Sequence, residues 1–256
     1  MYFSVLGSGS KGNCVYIECG RTAILIDGGF SGKEISSRLQ SIGKDVSQLD
    51  AICITHEHND HIAGVGVLSR RSNLPVYANP GTFLSGECRL GKLAKRQEFN
   101  TGDQFAIKDL LIRSFRISHD TADPVGYVIS SDRLSLGYCT DTGKVTHLMQ
   151  QRLAGCAGLI LEFNHNLQML KNGPYPPALQ QRVRSSQGHL ANEDAAEFLK
   201  DILHPRLRLT VLAHLSETNN NPQLAIAAAR KILTRERQTQ LVLAHQNIPT
   251  QVFSLD

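Results

Sequence analysis

The sequence predicts an α/β fold in which two β-sheets pack face to face and helices cover their outer faces. Two β-hairpins with similar endings carry this prediction, because each hairpin leads into an Asp-containing turn and then a helical stretch, at Asp27 and at Asp141. The hairpin strands are Cys14–Cys19 and Thr22–Ile26, joined at Gly20-Arg21, and Val125–Ser130 and Leu134–Cys139, joined at Ser131-Asp132-Arg133. The duplication indicates one domain over residues 1–256 with pseudo-symmetric halves, about 1–105 and 106–256.

The remaining elements follow from apolar periodicity and from helix start signals. Further strands are predicted at Met1–Leu6, Leu49–Ile54, Gly158–Glu162, Leu207–Ala213 and Gln240–Ala244. Helices are predicted at Ser31–Ile42, Ile62–Ser69, Lys144–Leu153, Asn192–Leu203 and Pro222–Thr234. Residues 164–188 are predicted to form a long loop that serves as a lid or rim.

Composition sets modest limits on function. The chain has 256 residues, a net charge of +4 and a pI near 8.8, values compatible with almost any partner. Its six cysteines form no C-x-x-C pair, and we find neither a secretory signal nor an apolar run long enough to span a membrane. We therefore expect a cytoplasmic protein without a membrane segment, and oligomerisation stays open.

A dense group of metal-ligand residue types follows the apolar run that ends at Ile54. The stretch T-H-E-H-N-D-H-I-A-G contains His56, His58, Asp60 and His61. Alternate residues that leave a strand project the same way, so His56 and His58 can bind one ion, whereas Asp60 and His61 could face a second. Imidazole with carboxylate favours zinc, iron or manganese. The alternative is a histidine-rich surface loop.

Further motifs extend this pattern to a family resemblance. Asp27, H-E-H-N-D-H, His119 in I-S-H-D, Asp141 in Y-C-T-D-T-G and His214 in L-A-H-L-S stand in order at predicted strand ends. With them the chain resembles the metallo-β-lactamase superfamily, whose fold is an αββα sandwich of two mixed sheets. The stretches G-S-G-S-K-G-N-C, N-G-P-Y-P, G-H-L-A-N-E-D-A-A and A-H-L-S-E-T-N-N make it most similar to the YycJ/WalJ-type exonuclease branch.

The resemblance implies a site for two divalent ions, which would be zinc, manganese or iron. The implied ligands are His56, His58 and His119 for the first ion, Asp60, His61 and His214 for the second, and Asp141 as a bridge between both. Asp27 is implied to orient these ligands from behind. Two such ions lower the pKa of a shared water and thereby supply a hydroxide nucleophile.

The resemblance also implies a proton donor. His189 matches the histidine that protonates the leaving oxygen in the nuclease branch, which includes ribonuclease Z, and Glu162 could hold its imidazole protonated. With Asp60, these two form the predicted catalytic set. The alternative for His189 is a helix-capping or ligand-supporting role, because Leu190-Ala191 departs from the Ser-Thr of ribonuclease Z. His165 is expected either to contact substrate or to be solvated.

Two segments could bind phosphate. Ser8, Ser10 and Asn13 lie in the Gly7–Asn13 loop, which offers hydroxyls and backbone N–H groups or is simply a tight turn. The segment Leu84–Glu98 is predicted to be helical. It would place Arg89, Lys92 and Arg96 on one face, with Lys95 alongside, as a phosphate-binding or merely solvated surface.

Together these features favour a dinuclear-metal phosphodiesterase that acts on nucleic acid, DNA more than RNA. The branch resembled implies a 5′-to-3′ DNA exonuclease. The short intervals between the predicted ligands leave no room for the tRNA-gripping arm of ribonuclease Z or for an inserted β-CASP domain. A thioester or lactone hydrolase of the glyoxalase II kind is the alternative, since a thiolate leaving group hardly needs His189. A non-catalytic metal-binding module is a further alternative.

Overall fold

A computed structural model describes residues 1–132, 134–233 and 239–255. The strands in these ranges are β1 (Tyr2–Gly7), β2 (Cys14–Cys19), β3 (Thr22–Ile26), β4 (Ala51–Cys53), β5 (Pro75–Ala78), β6 (Lys95–Glu98), β7 (Gln104–Ile107), β8 (Leu110–Arg116), β9 (Val125–Ser131), β10 (Leu134–Cys139), β11 (Gly158–Glu162), β12 (Leu209–Ala213), β13 (Gln240–Leu243) and β14 (Phe253–Ser254). The α-helices are α1 (Gly32–Ser41), α2 (Asn59–Ile62), α3 (Val65–Ser72), α4 (Pro80–Leu90), α5 (His147–Leu153), α6 (Leu167–Asn172), α7 (Pro177–Arg184), α8 (Asn192–Asp201) and α9 (Pro222–Ile232).

The described strands form two seven-stranded mixed sheets, in the orders β14-β1-β2-β3-β4-β5-β6 and β13-β12-β11-β10-β9-β8-β7. Alternation along each strand divides its side chains between two layers. In β3, Ile24 and Ile26 enter the core between the sheets, whereas Leu25 enters the core under α1, α3 and α4. In β11, Ile160 faces the central core and Leu159 faces α5, α8 and α9. This αββα arrangement confirms the predicted fold class.

The predicted basic helical face over Leu84–Glu98 is wrong. Helix α4 ends at Leu90 because Gly91 takes a left-handed conformation, with φ of 60°, and terminates it. The chain then forms β6 at the edge of the first sheet, where Arg96 pairs with Glu98 at 2.7 Å. Charged side chains at such an edge discourage pairing with another chain. The basic residues therefore lie in α4, in the connection after it and in β6 rather than on one helical face.

Segment 164–188 is also more regular than predicted, because it contains α6 and α7. The Asn166 side chain accepts hydrogen bonds from the first turn of α6, and α7 begins directly after Pro176, at Pro177. Helix α7 has no buried side chain. The predicted loop is therefore a pair of short helices on the rim of the molecule.

Other differences concern the ends and breaks of elements. The helix predicted at Ile62–Ser69 is divided into α2 and α3 at Gly64, where a Cβ atom would lie 2.1 Å from the carbonyl oxygen of Phe30. Strands β5, β6, β7, β8 and β14 were not predicted. Thr234, the predicted end of α9, and Arg133, in the second hairpin turn, lie outside the described residues. No helix within the described ranges is both long and apolar enough to cross a membrane.

Candidate metal centre

The predicted ligands meet at one edge of the sandwich, where strands of both sheets end. Asp27 follows β3, Asp141 follows β10 and His214 follows β12, and all three have left-handed backbones, with φ of 61°, 60° and 55°. Such a conformation is uncommon for a residue with a side chain and costs of order 1–3 kcal/mol. Three residues of this kind at strand ends along one edge of the sandwich indicate that the surrounding structure holds them there.

The first cluster consists of three imidazoles, those of His56, His58 and His119, whose ligand atoms lie within 4.8 Å of one another. Nε2 of His119 is 3.2 Å from Nδ1 of His58. Nε2 of His56 is buried and has no hydrogen-bond partner. Burial lowers the pKa of all three histidines, so their neutral rings present free lone pairs. An unpartnered nitrogen that faces two further imidazoles fits a divalent cation.

The second cluster combines Asp60, His61, Asp141 and His214. Asp141 Oδ1 lies 3.2 Å from His214 Nε2, and Asp141 Oδ2 lies 3.4 Å from His61 Nε2. Burial by itself would raise the pKa of Asp141, but the surrounding imidazoles, led by that of His214, hold it well below its usual range. Asp141 Oδ2 is buried without a hydrogen-bond partner. Asp141 also lies 4.0 Å from His119 Nε2, so it stands between the two clusters.

Asp27 lies behind the ligands and is completely buried. Its carboxylate accepts hydrogen bonds from Thr55 N at 2.8 Å, Thr55 Oγ1 at 2.9 Å and His61 Nδ1 at 2.8 Å. Because His61 donates from Nδ1, its Nε2 is directed to Asp141 and Asp60. Burial disfavours the charged form of His61, but the carboxylates around it, led by Asp27, raise its pKa well above the usual range.

The Gly7–Asn13 loop contacts the predicted ligands. Asn13 Oδ1 accepts hydrogen bonds from Ser8 Oγ at 3.0 Å and from His214 Nδ1 at 3.1 Å. Asn13 Nδ2 donates to Asp60 Oδ2 at 3.2 Å. Ser8 and Asn13 are buried and are not among the described residues that line the cleft, whereas Ser10 does line it. The phosphate contacts of this loop stay a prediction.

His189 and Glu162 form a hydrogen-bonded pair beside the second cluster. His189 Nδ1 lies 2.7 Å from Glu162 Oε1 and 3.9 Å from Asp141 Oδ1. Glu162 is 1% exposed, and its other oxygen accepts from Thr142 N at 3.0 Å. Burial opposes the charge on His189, but the Glu162 carboxylate outweighs it and raises the pKa of His189 to about 9. The pair therefore favours a protonated imidazole at neutral pH.

His165 is buried and is not solvated. Its side chain is 1% exposed, and its backbone forms a β-bridge with Ala191. Burial lowers the pKa of His165 to about 4, which leaves the ring neutral. His165 is not among the described residues that line the cleft, and its contact with substrate stays a prediction.

A cleft of about 240 Å³ opens above both clusters. Its lining residues are Ser10, His58, Asp60, His119, Asp120, Asp141, Tyr175, Leu179, Arg182, Val183, Gly188, His189 and His214. Sequence reasoning missed Asp120 and Arg182. Asp120 follows His119 directly in I-S-H-D, which was the available signal, but no local pattern links it to Arg182.

The chain is similar to proteins of one family and to solved structures of one fold. A family model described as a β-lactamase superfamily domain matches residues 22–215. The chain is 37% identical over 235 residues to the exodeoxyribonuclease YycJ of Bacillus anthracis. This match covers 91% of the chain and 89% of YycJ. It is also 41% identical over 227 residues to the exodeoxyribonuclease WalJ of Streptococcus pneumoniae. That match covers 87% of this chain and 84% of WalJ. The crystal structure of the metallo-β-lactamase fold protein YhfI from Bacillus subtilis has a TM-score of 0.76 over 98% of this chain and 99% of its own, at 16% identity, and shows the shared fold.

Proposed function

Because this chain belongs to the metallo-β-lactamase superfamily, we propose that it is a two-metal nuclease that removes nucleotides from DNA ends in the 5′-to-3′ direction. Two relatives that are named exodeoxyribonucleases, with 37% and 41% identity, support a nuclease. The observation that carries the proposal is the His189–Glu162 pair beside Asp141. An alkoxide that leaves phosphorus needs a proton, whereas a thiolate that leaves a thioester hardly does.

The donor atoms suit two divalent ions. His56, His58 and His119 would hold one ion, and Asp60, His61 and His214 the other, with Asp141 in contact with both. When bound, such ions supply Lewis-acid activation of the attacking water and neutralise charge on the phosphate. The mixture of imidazole and carboxylate favours zinc, manganese or iron over magnesium.

The proton donor is part of the chain itself. Glu162 engages Nδ1 of His189, so the proton that His189 can deliver to the leaving oxygen is the one on Nε2. Glu162 also accepts from Leu190 N at 3.2 Å, which fixes its carboxylate against the backbone that carries His189. The geometry therefore aims one imidazole edge into the cleft and keeps it charged.

The activity is tested on nucleic acids labelled separately at their 5′ and 3′ ends. The protein is reconstituted with Mn²⁺ or with Zn²⁺ and incubated with single- and double-stranded DNA and RNA. We expect mononucleotides or short products from the 5′ label at the earliest times and a descending ladder from the 3′ label. Intact nucleic acid together with rapid turnover of thioesters or lactones would contradict the proposal.

The general acid is tested with His189→Ala, and His147→Ala is the matched control. His147 is an exposed histidine on α5, outside the residues that line the cleft. We expect His189→Ala to lower kcat by about 10²- to 10⁴-fold, the usual contribution of a general acid, with unchanged metal content. A His189→Ala protein that cleaves DNA as fast as the His147→Ala control would show that the assignment is wrong.

A further inference from the structure

We propose that Arg182 and Tyr175 form a nucleotide subsite in the cleft, in which Arg182 binds a phosphate next to the scissile one and Tyr175 stacks on a base. This inference rests on the proposed nuclease function and names how the substrate would be held. The two residues belong to the α7 wall, defined as Tyr175, Leu179, Arg182 and Val183.

The side chains of the α7 wall line the cleft and are not buried in the core. Leu179 lies three positions before Arg182 and four before Val183, which places these three side chains on one side of α7, and Tyr175 lies just before the helix begins. Helix α7 has no buried side chain, so packing against the core does not account for its position. The side that faces the cleft therefore remains available to a ligand.

Hydrogen bonds fix the end of this wall to the candidate catalytic residues. His189 N donates to Val183 O at 2.9 Å, and His119 Nδ1 donates to Gly188 O at 3.2 Å. Ser118 Oγ donates to Ser186 O at 2.7 Å. Arg182 consequently has a set position relative to both the first cluster and the proton donor.

Arg182 has the donors that a phosphate requires. It is the only lysine or arginine among the described residues that line the cleft. Its Nε donates to Asp120 Oδ2 at 2.6 Å, whereas its two Nη nitrogens have no hydrogen-bond partner within the described part of the chain. The guanidinium fork matches two phosphate oxygens at once. The pair with Asp120 is partly exposed, at 59% and 30%, so it contributes little and does not prevent phosphate binding.

Asp120 places Arg182 beside the first cluster. Its Oδ1 lies 3.5 Å from His119 Nε2 and 3.8 Å from His58 Nε2, while its Oδ2 holds Arg182. A phosphate on Arg182 would therefore neighbour a phosphate at the metal centre, as consecutive phosphates of one strand do.

The size of the cleft and its aromatic side chain fit a single strand. At about 240 Å³ the cleft is slightly smaller than most small-molecule sites, so it suits the end of a strand rather than a long segment of nucleic acid. Tyr175 is a half-buried residue of the cleft lining, and it offers a ring on which any base can stack. This subsite would take the end of a strand without regard to its sequence.

The phosphate contact is tested with R182Q, and R184Q is the matched control. Arg184 is exposed on the same helix but does not line the cleft. On a single-stranded DNA oligonucleotide, we expect R182Q to raise KM by about 10- to 100-fold, as expected for the loss of a charge-assisted hydrogen bond. The slope of log KM against log salt should decrease by about 1. Metal content and melting temperature should match the unmodified protein, and R184Q should retain its KM and slope.

Two results would overturn the inference while leaving the nuclease in place. In one, R182Q has the same KM and salt slope as R184Q. In the other, R182Q loses metal or kcat at unchanged KM, which means that Arg182 acts by positioning Asp120 and the first cluster. An unmodified chain that cleaves no nucleic acid with either metal contradicts the proposed function itself, and the subsite with it.

The stacking contact is tested by comparing Tyr175→Phe with Tyr175→Leu. Phenylalanine keeps the ring and should leave KM within about threefold of the original, whereas leucine should raise it about 5- to 100-fold, as for the loss of one stacked base. Equal KM values for the two variants would show that Tyr175 does not stack on substrate.

Discussion

The turns at Asp27 and Asp141 have nearly the same backbone but different surroundings. Each follows the second strand of an antiparallel hairpin, β2–β3 or β9–β10, and each aspartate is left-handed, with φ of 61° and 60°. Asp27 has hydrogen-bond donors on both carboxylate oxygens, whereas Asp141 keeps one buried oxygen without a partner. The duplicated turn thus supplies a carboxylate at the same place in each half. The residues around each carboxylate decide whether it can bind an ion or instead orients the residues that bind one.

The largest effect is expected from Asp141→Asn. The substitution removes the charge that faces imidazoles of both clusters, so we expect metal to be lost from both and nuclease activity to fall to background. Metal analysis after dialysis and the end-labelled DNA assay measure the two effects. Asp132→Asn, in the exposed turn of the same hairpin, is the control. Full occupancy of both sites in Asp141→Asn would contradict the bridging role.

A smaller, pH-dependent effect is expected from Glu162→Gln, which also alters the hydrogen bond to the turn after Asp141. The general acid must be protonated, and Glu162 keeps the pKa of His189 near 9 against the opposing effect of burial. Without this charge the pKa of His189 falls, so the alkaline limb of the kcat profile should move to lower pH. At pH 8 we expect a loss of about 10²-fold or more. An unshifted limb would show that His189 does not set it.

Asp27→Asn should weaken metal binding less than Asp141→Asn does. We expect metal affinity to decrease about 10- to 100-fold, because His61 loses its charged acceptor but keeps its ligand nitrogen. Excess metal should therefore restore activity to Asp27→Asn and not to Asp141→Asn. Metal titrations of both proteins measure this difference directly. If both variants recover alike, the two aspartates do not differ as their hydrogen bonds indicate.

The smallest effect is expected from Thr55→Val, which removes one donor from Asp27. The free energy of unfolding should decrease by about 1–2 kcal/mol, because a buried carboxylate oxygen loses one of its partners. Chemical denaturation of the metal-free protein measures this change. Thr210→Val is the matched control, since the Thr210 hydroxyl is buried without a partner. Equal destabilisation of the two variants would contradict the stabilising role of the Thr55 hydroxyl.

The features that could be predicted from the sequence are those that leave a pattern among neighbouring residues. The predictions of hairpins β2–β3 and β9–β10, and of a shared direction for His56 and His58, depend on strand alternation, which neighbouring residues reveal. The basic helix predicted over Leu84–Glu98 was wrong because Gly91 ends α4, and the loop predicted at 164–188 was wrong because α7 is short and has no fully buried side chain to signal a helix. The hydrogen bonds of Ser8 and Asn13 could not be predicted, since a turn sequence does not record which distant residue it contacts.

The amino-acid sequence was sufficient to predict the fold class, the two Asp turns and a set of residues suited to metal, because short motifs at predicted strand ends carry each of them. Only the tertiary structure shows that Asp141 keeps an oxygen without a partner, whereas both oxygens of Asp27 have donors. It also decided that Asn13 supports His214 across 201 positions and that Arg182 meets Asp120 across 62. Side chains acquire these roles from burial and from neighbours at other strand ends, and those neighbours meet only when the two sheets pack together.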